Sequence, residues 1–116
     1  MQYTIKTSDL EPIASTLLEE EPDLVDLVAK FVEHLPNRIA DINSAATAQD
    51  WPSLKQQLHA LKGLSANFGY PGLSRLIQQI EDTLSHQRTA DIAPSIEELT
   101  ALCQRVTVGG TTPRML

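Results

Sequence analysis

The stretch DWPSLKQQLHALKGLSANFGYPG, residues 50–72, decides the fold of this chain. Asp50 is suited to cap a helix N-terminus, and Pro52 fits the first turn, where a backbone N–H has no partner inside the helix. The residues of its predicted inner face recur at three- and four-residue steps, and all but one of them are apolar: Leu54, Leu58, Leu61, Ser65 and Phe68. Gly69 and the Tyr-Pro-Gly that follows it break the pattern. The stretch therefore predicts one amphipathic helix ended by a sharp turn.

Apolar residues recur with the same spacing on both sides of this helix. One set precedes it: Leu24, Leu27, Val28, Phe31, Leu35, Ile39, Ile42 and Ala46. Two sets follow it: Leu73, Leu76, Ile77, Ile80 and Leu84, then, from near Asp91, Ile92, Ile96, Leu99, Leu102 and Val106. Ser8 and Glu11 have capping-box spacing, so we expect a short first helix from Ser8 to about Glu20. Short polar connections make neighbouring helices antiparallel.

These patterns predict an all-α fold, a four-helix up-down-up-down antiparallel bundle with a short N-terminal lead-in helix. The chain of 116 residues is long enough for one core and too short for two. We expect the bundle to occupy residues 1–106. Residues 107–116 contain Gly109, Gly110 and Pro113 without any periodicity, and we expect a flexible tail there.

Composition excludes several classes of function. A net charge of -6 argues against nucleic acid as a partner, because backbone binding needs a basic surface. Cys103 is the only cysteine, so no internal disulfide can form, and we expect a reducing, cytoplasmic location. No apolar run approaches the roughly 18 residues of a membrane span. We expect a protein that binds neither nucleic acid nor membranes.

His59 is the candidate functional residue of the helix predicted within residues 50–72. It lies about 100 degrees round the helix from the core position Leu58, so its ring should reach solvent. Lys62 and Gly63 stand three and four residues later, on the same surface, and Lys55 stands four residues earlier. Glycine in a helix interior costs about 1 kcal/mol against alanine. Gly63 therefore indicates a surface kept free of side chains for the approach of another protein. Lys55, Lys62 and Arg75 predict a local basic patch beside it.

The motif His59-x-x-Lys62-Gly63-x-Ser65, with Gly69 ten residues after the histidine and Leu73 four later, resembles the signature of histidine-containing phosphotransfer domains. The resemblance extends to the segment FVEHLP at 31–36 and to the spacing of Ile77, Ile80 and Glu81. It covers roughly residues 8–106.

The resemblance implies a phosphocarrier without autokinase activity. In this family the neutral imidazole attacks an aspartyl phosphate, and free histidine, with a pKa of about 6.5, is largely neutral at pH 7. The expected partners are receiver domains of response regulators, or a hybrid sensor histidine kinase, and the protein itself is expected to be a monomer. No cofactor is expected in the chain, because the Mg²⁺ and acidic residues of the transfer belong to the receiver domain.

The resemblance also implies roles for the residues around His59. Lys62 would offset the charge of the phosphoryl group. Family members often hold the second ring nitrogen with a polar side chain from the next helix, which makes Glu81 the candidate, with Gln78 one turn earlier. Ser65 is a further supporting candidate, although it also fits as an ordinary helix residue.

Other readings of the sequence are weaker or remain open. His34 and His86 are expected to be ordinary surface residues, and Cys103 a packing residue. No metal site is expected, because the histidines are far apart in sequence. No phosphate-binding loop or nucleophile elbow supports an enzyme. An adaptor bundle that binds partners without accepting phosphate is the alternative. The sequence also leaves open a free-standing protein or the carboxy-terminal module of a hybrid kinase.

Overall fold

A computed structural model describes residues 11–109, and most of this part of the chain is helical. The helices are α1 (Leu17–Glu20), α2 (Val25–Thr47), α3 (Trp51–Asn67), α4 (Pro71–Ser85) and α5 (Ile92–Cys103). Two single 3-10 turns, Pro22–Leu24 and Thr89–Asp91, lead into α2 and α5. The all-α class predicted from periodicity is confirmed.

The four longer helices pack in a closed ring: α2 contacts α3 and α5, and α4 contacts α3 and α5. Their shared core is aliphatic, with a small aromatic cluster at one end, where the Phe31 ring lies 5.5 Å from the rings of both Phe68 and Tyr70. The most deeply buried side chains come from all four helices: Val28, Ile42, Leu54, Leu58, Leu61, Leu73, Ile77, Ile80, Ile92 and Leu99. Each was expected from the three- and four-residue spacing.

Local chemistry sets the ends of α3, the helix that carries His59. The Asp50 side chain accepts a hydrogen bond from the Ser53 backbone N–H at 3.3 Å, which satisfies one of the unpaired donors of the first turn. At the other end Gly69 adopts a φ of 91°, a left-handed conformation that favours glycine. A Cβ atom there would also collide with the Leu17 backbone nitrogen and with Ser15 Oγ. The chain therefore turns sharply between α3 and α4.

The lead-in helix predicted from Ser8 to Glu20 is wrong in extent. Ser8 lies outside the described residues, and within them the helix covers only Leu17–Glu20. The preceding backbone, residues 11–16, is not helical because its polar groups bond elsewhere. Ile13 N–H donates to the Arg105 carbonyl at 2.7 Å, and Thr16 N–H donates to the Gly69 carbonyl at 2.8 Å. Helix formation would remove these partners.

A clasp, formed by residues 13–16, 69–70 and 105–108, joins both terminal segments to the α3–α4 turn. Ile13 and Val106 form an isolated parallel bridge, Ser15 N–H donates to the Val108 carbonyl, and the buried Tyr70 hydroxyl donates to the Thr107 carbonyl. Val106 is thus buried by the bridge and not on α5, where its spacing had placed it. Ordered contacts continue at least to Val108, past the expected boundary at residue 106.

Leu27 also departs from its prediction as a core residue. Its surface is 51% exposed, as is 44% of Val25, because both stand at the first turn of α2, beyond the end of the ring. Leu24 precedes the helix and lies in the 3-10 turn. The apolar side of α2 that enters the core begins at Val28.

Candidate functional site

His59 stands on the outer side of α3 with 74% of its side chain exposed. Its neighbour Leu58 is fully buried, as is Leu61, so the helical offset places the imidazole on solvent-facing surface. Apart from one contact through Nδ1, the ring makes no hydrogen bond with residues 11–109. Its Nε2 atom is therefore accessible to another molecule.

Glu81, on α4, holds the inner edge of the imidazole. Its Oε2 atom lies 3.3 Å from His59 Nδ1, while only 10% of its side chain is exposed. A carboxylate only accepts hydrogen bonds, so we infer that Nδ1 carries the proton and donates it. In a neutral ring the lone pair then resides on Nε2, the exposed nitrogen. The contact fixes both the tautomer and the direction in which the ring can react.

Lys62 joins the same carboxylate from one turn further along α3. Its Nζ atom is 2.7 Å from Glu81 Oε1 and donates a hydrogen bond of 2.8 Å to Gln78 Oε1. Gln78 in turn donates from Nε2 to Asp82 Oδ1 at 3.0 Å. Three quarters of the Lys62 side chain is covered. The ammonium is thus a fixed member of a polar network between α3 and α4, and its charge is matched by a buried anion.

Gly63 leaves open space beside this network. It is exposed, and a Cβ atom built on it would meet no heavy atom within 4 Å other than its own helix backbone and chain neighbours. The adjoining outer positions of α3, Ala60 and Ala66, are also exposed and carry only a methyl group. Small residues therefore surround the imidazole along the outer side of α3, so that a partner's backbone could approach closely.

Several predicted residues lie elsewhere. Ser65 is fully buried on the core side of α3, and its Oγ atom has no hydrogen-bond partner among the described residues. Arg75 lines a cleft of about 850 Å³ between α4, α5 and the terminal segments, so it does not belong to the surface around His59. Lys55 is exposed and borders a separate hollow with Trp51 and Leu84.

The other two histidines show no comparable surroundings. His34 is exposed on α2. His86 follows the end of α4, where its Nδ1 atom lies 2.8 Å from the Asp82 backbone carbonyl. Neither contacts a carboxylate or an ammonium within the described part of the chain. Among residues 11–109 there is also no group of three or more histidine, cysteine or acidic side chains able to hold a metal ion.

The sequence reasoning missed the pairing of Lys62 with Glu81 and the place of Asp82 in the network. The opposite charges at these positions were visible in the sequence. Whether they meet depends on the relative position of α3 and α4 along their axes, which the residue spacing within one helix does not determine. A basic patch of Lys55, Lys62 and Arg75 was expected around His59, and the structure instead balances the Lys62 charge with a buried carboxylate.

Comparison with protein families gives a match to a known domain. The model of the Hpt domain matches residues 26–108, which run from the second residue of α2 to beyond the end of α5 and include the whole site. Searches of curated proteins and of solved structures each returned no significant match. No helix between residues 11 and 109 combines the length and the apolar character that crossing a bilayer requires.

Proposed function

Because this chain belongs to the Hpt domain family, whose members perform histidine phosphotransfer in phosphorelays, we propose that His59 carries the phosphoryl group, receiving it from and returning it to aspartates of receiver domains. The observation that supports this most directly is the exposed imidazole held through Nδ1 by the buried Glu81 carboxylate. That arrangement presents Nε2 as the nucleophile and leaves its approach path open.

The transfer is a reversible exchange of one P–O bond for one N–P bond. The lone pair of His59 Nε2 attacks phosphorus, and the electrons of the P–O bond leave with the receiver aspartate as a carboxylate. The proton on Nδ1 stays on the ring, which carries a positive charge while Nε2 is phosphorylated. In the reverse direction the aspartate carboxylate attacks, the N–P electrons return to Nε2, and neutral imidazole leaves. Glu81 supports the ring charge in both directions.

The protein's contribution is position and charge, and no chemical step requires an additional group from this chain. Lys62 lies one turn further along α3 than the ring, so its ammonium is available to an incoming phosphoryl group if it turns away from Glu81. Gly63 and its small neighbours let the receiver bring its aspartate close. We propose that Mg²⁺ and the acidic residues that bind it come from the receiver domain, and that the carrier has neither a cofactor nor autokinase activity.

Labelling with a panel of purified receiver domains, charged with radiolabelled acetyl phosphate, tests this proposal. Label should appear on the wild-type protein and be stable in alkali but lost in acid, as expected for a phosphohistidine. His59→Gln should fold normally and take up no label, because the exposed ring contributes little packing. His34→Gln is the matched control and should label fully. Label retained by His59→Gln, or no transfer from any charged receiver, would contradict the proposal.

We further propose that the four long helices alternate in an up-down-up-down antiparallel order and that the protein acts as a cytoplasmic monomer. The short connections between the long helices, residues 48–50, 68–70 and 86–91, support the antiparallel order. Sedimentation equilibrium over a range of concentrations would test the oligomeric state.

A further inference from the structure

We propose that Glu81 competes with the phosphoryl group for Lys62, so that the carrier holds phosphate less tightly than its own lysine would allow. This inference rests on the proposed function of His59 and concerns the equilibrium of transfer, not whether transfer occurs. It assigns Glu81 a second role besides orienting the ring. In that role Glu81 acts on the reacting group through Lys62.

The geometry that points to this competition is the position of the ammonium in the unphosphorylated protein. Lys62 Nζ lies 2.7 Å from Glu81 Oε1 and donates to Gln78 at 2.8 Å, so two oxygens already occupy it. Glu81 Oε1 is buried and has no well-formed hydrogen bond among the described residues. Apart from the His59 ring, the ammonium is the only described group that balances this carboxylate.

Phosphorylation would place a new anion within reach of the same ammonium. When the N–P bond to His59 Nε2 forms and the aspartate leaves, the phosphoryl oxygens attract Lys62 towards solvent. Moving there would take the ammonium from the buried Glu81 Oε1 atom and leave only the ring charge, beside Oε2, to balance the carboxylate, which is unfavourable. Staying would leave the phosphoryl group without the Lys62 ammonium. Either choice raises the free energy of the phosphorylated state and favours return of the group to a receiver domain.

A double-mutant cycle separates competition from the simple addition of charges. If Lys62 and Glu81 stayed fixed, their effects on the phosphoryl group would add, and the effect of Lys62→Ala would be the same in any background. If Glu81 restrains Lys62, the lysine should stabilise the phosphorylated state more strongly once that restraint is removed. The effect of Glu81 on the ring charge is common to both halves of the cycle and largely cancels.

The experiment uses four proteins: wild type, Lys62→Ala, Glu81→Gln and the double variant. Forward and reverse transfer rates with the receiver domain that labels the wild type give an equilibrium constant for each. In both backgrounds we expect Lys62→Ala to shift the transfer equilibrium towards the receiver. The shift in the Glu81→Gln background should exceed the shift in the wild-type background by a factor on the order of tenfold, the size of a single charge interaction near a protein surface. Equal factors within about twofold would overturn the proposal. A larger factor in the wild-type background would also overturn it.

Asp41→Asn provides the matched control. Asp41 is an exposed acid on α2 that lies beside Ala60 but does not contact Lys62. Removing its charge should leave the Lys62→Ala factor unchanged, and a change as large as that caused by Glu81→Gln would show that charge alone is responsible and would overturn the competition.

Folding and function are checked separately. Urea unfolding of each variant establishes that it is native, and Glu81→Leu replaces Glu81→Gln if the latter does not fold, because leucine offers the ammonium neither a charge nor a hydrogen-bond acceptor. If the wild type accepts no label, the proposed function fails. If all accept label and the two factors agree, the competition alone fails.

Discussion

Replacing Gly63 should move stability and function in opposite directions. Gly63 lies within α3, and a Cβ atom there meets nothing within 4 Å beyond its local backbone. Gly63→Ala therefore removes a helix-propensity penalty of about 1 kcal/mol without any clash. For a domain of this size that gain corresponds to a rise in melting temperature of about 3–6 °C. Gly63→Leu should also fold, because the same open space accommodates its larger side chain.

Transfer should respond in the reverse order. A leucine at residue 63 would project from the surface that also carries His59, four residues earlier on the same helix. A displacement of the partner by about 1 Å can lower a transfer rate about a hundredfold, so Gly63→Leu should transfer far more slowly than wild type. Alanine adds only a methyl group and should have a much smaller effect.

Urea titration and phosphotransfer kinetics on the same preparations measure both quantities. Gly63→Leu that transfers as fast as wild type would show that the glycine does not clear a docking surface. Strong destabilisation by both substitutions would show that residue 63 packs against another helix, which would refute the reasoning from open space.

Three further outcomes are expected. Lys62→Ala should slow transfer, measured by rapid quench, through the loss of about 1–3 kcal/mol of transition-state stabilisation. It should also lower the unfolding free energy by about 1–2 kcal/mol, because Glu81 is left buried without its ammonium. Unchanged values would mark Lys62 as a solvated residue. Gly69→Ala, with a φ of 91° and the Leu17 backbone nitrogen in the way, should cost about 2 kcal/mol or more in a urea titration, opposite in sign to Gly63→Ala. Burial raises the pKa of the Cys103 thiol from 9.0 to about 12, so the unfolded state loses this proton at lower pH and the unfolding free energy should fall as pH rises from about 9 to about 12. Cys103→Ala should make this fall shallower, and an identical fall in the variant would contradict the prediction.

The sequence predicted best those features that depend on one helix at a time. The limits of α3, from the Asp50 cap to the Gly69 turn, are confirmed, because capping and left-handed glycine are local effects. The exposure of His59 follows from its offset relative to Leu58. Membership of the family suggested by the motif is also confirmed.

Features that depend on contacts between distant segments could not be predicted in the same way. The non-helical backbone before α1 is held by the Arg105 and Gly69 carbonyls, which lie far away in sequence and outweigh the capping-box signal. Lys62 and Glu81 form an ion pair between two helices, and no spacing rule defines the relative position of those helices along their axes. In both places the local pattern was ambiguous, and tertiary contacts decided the outcome.

The clasp has a consequence for how this domain can be connected to others. Ile13 pairs with Val106, so the chain enters and leaves the bundle at one corner, beside the α3–α4 turn. His59 lies ten residues before Gly69, about 15 Å along the helix axis from that corner. A receiver domain fused to either end through a short flexible linker would thus meet the imidazole at an effective concentration on the order of millimolar. The same adjacency would allow the bundle to be inserted into a loop of a larger protein, or to be circularly permuted, without rearranging its helices.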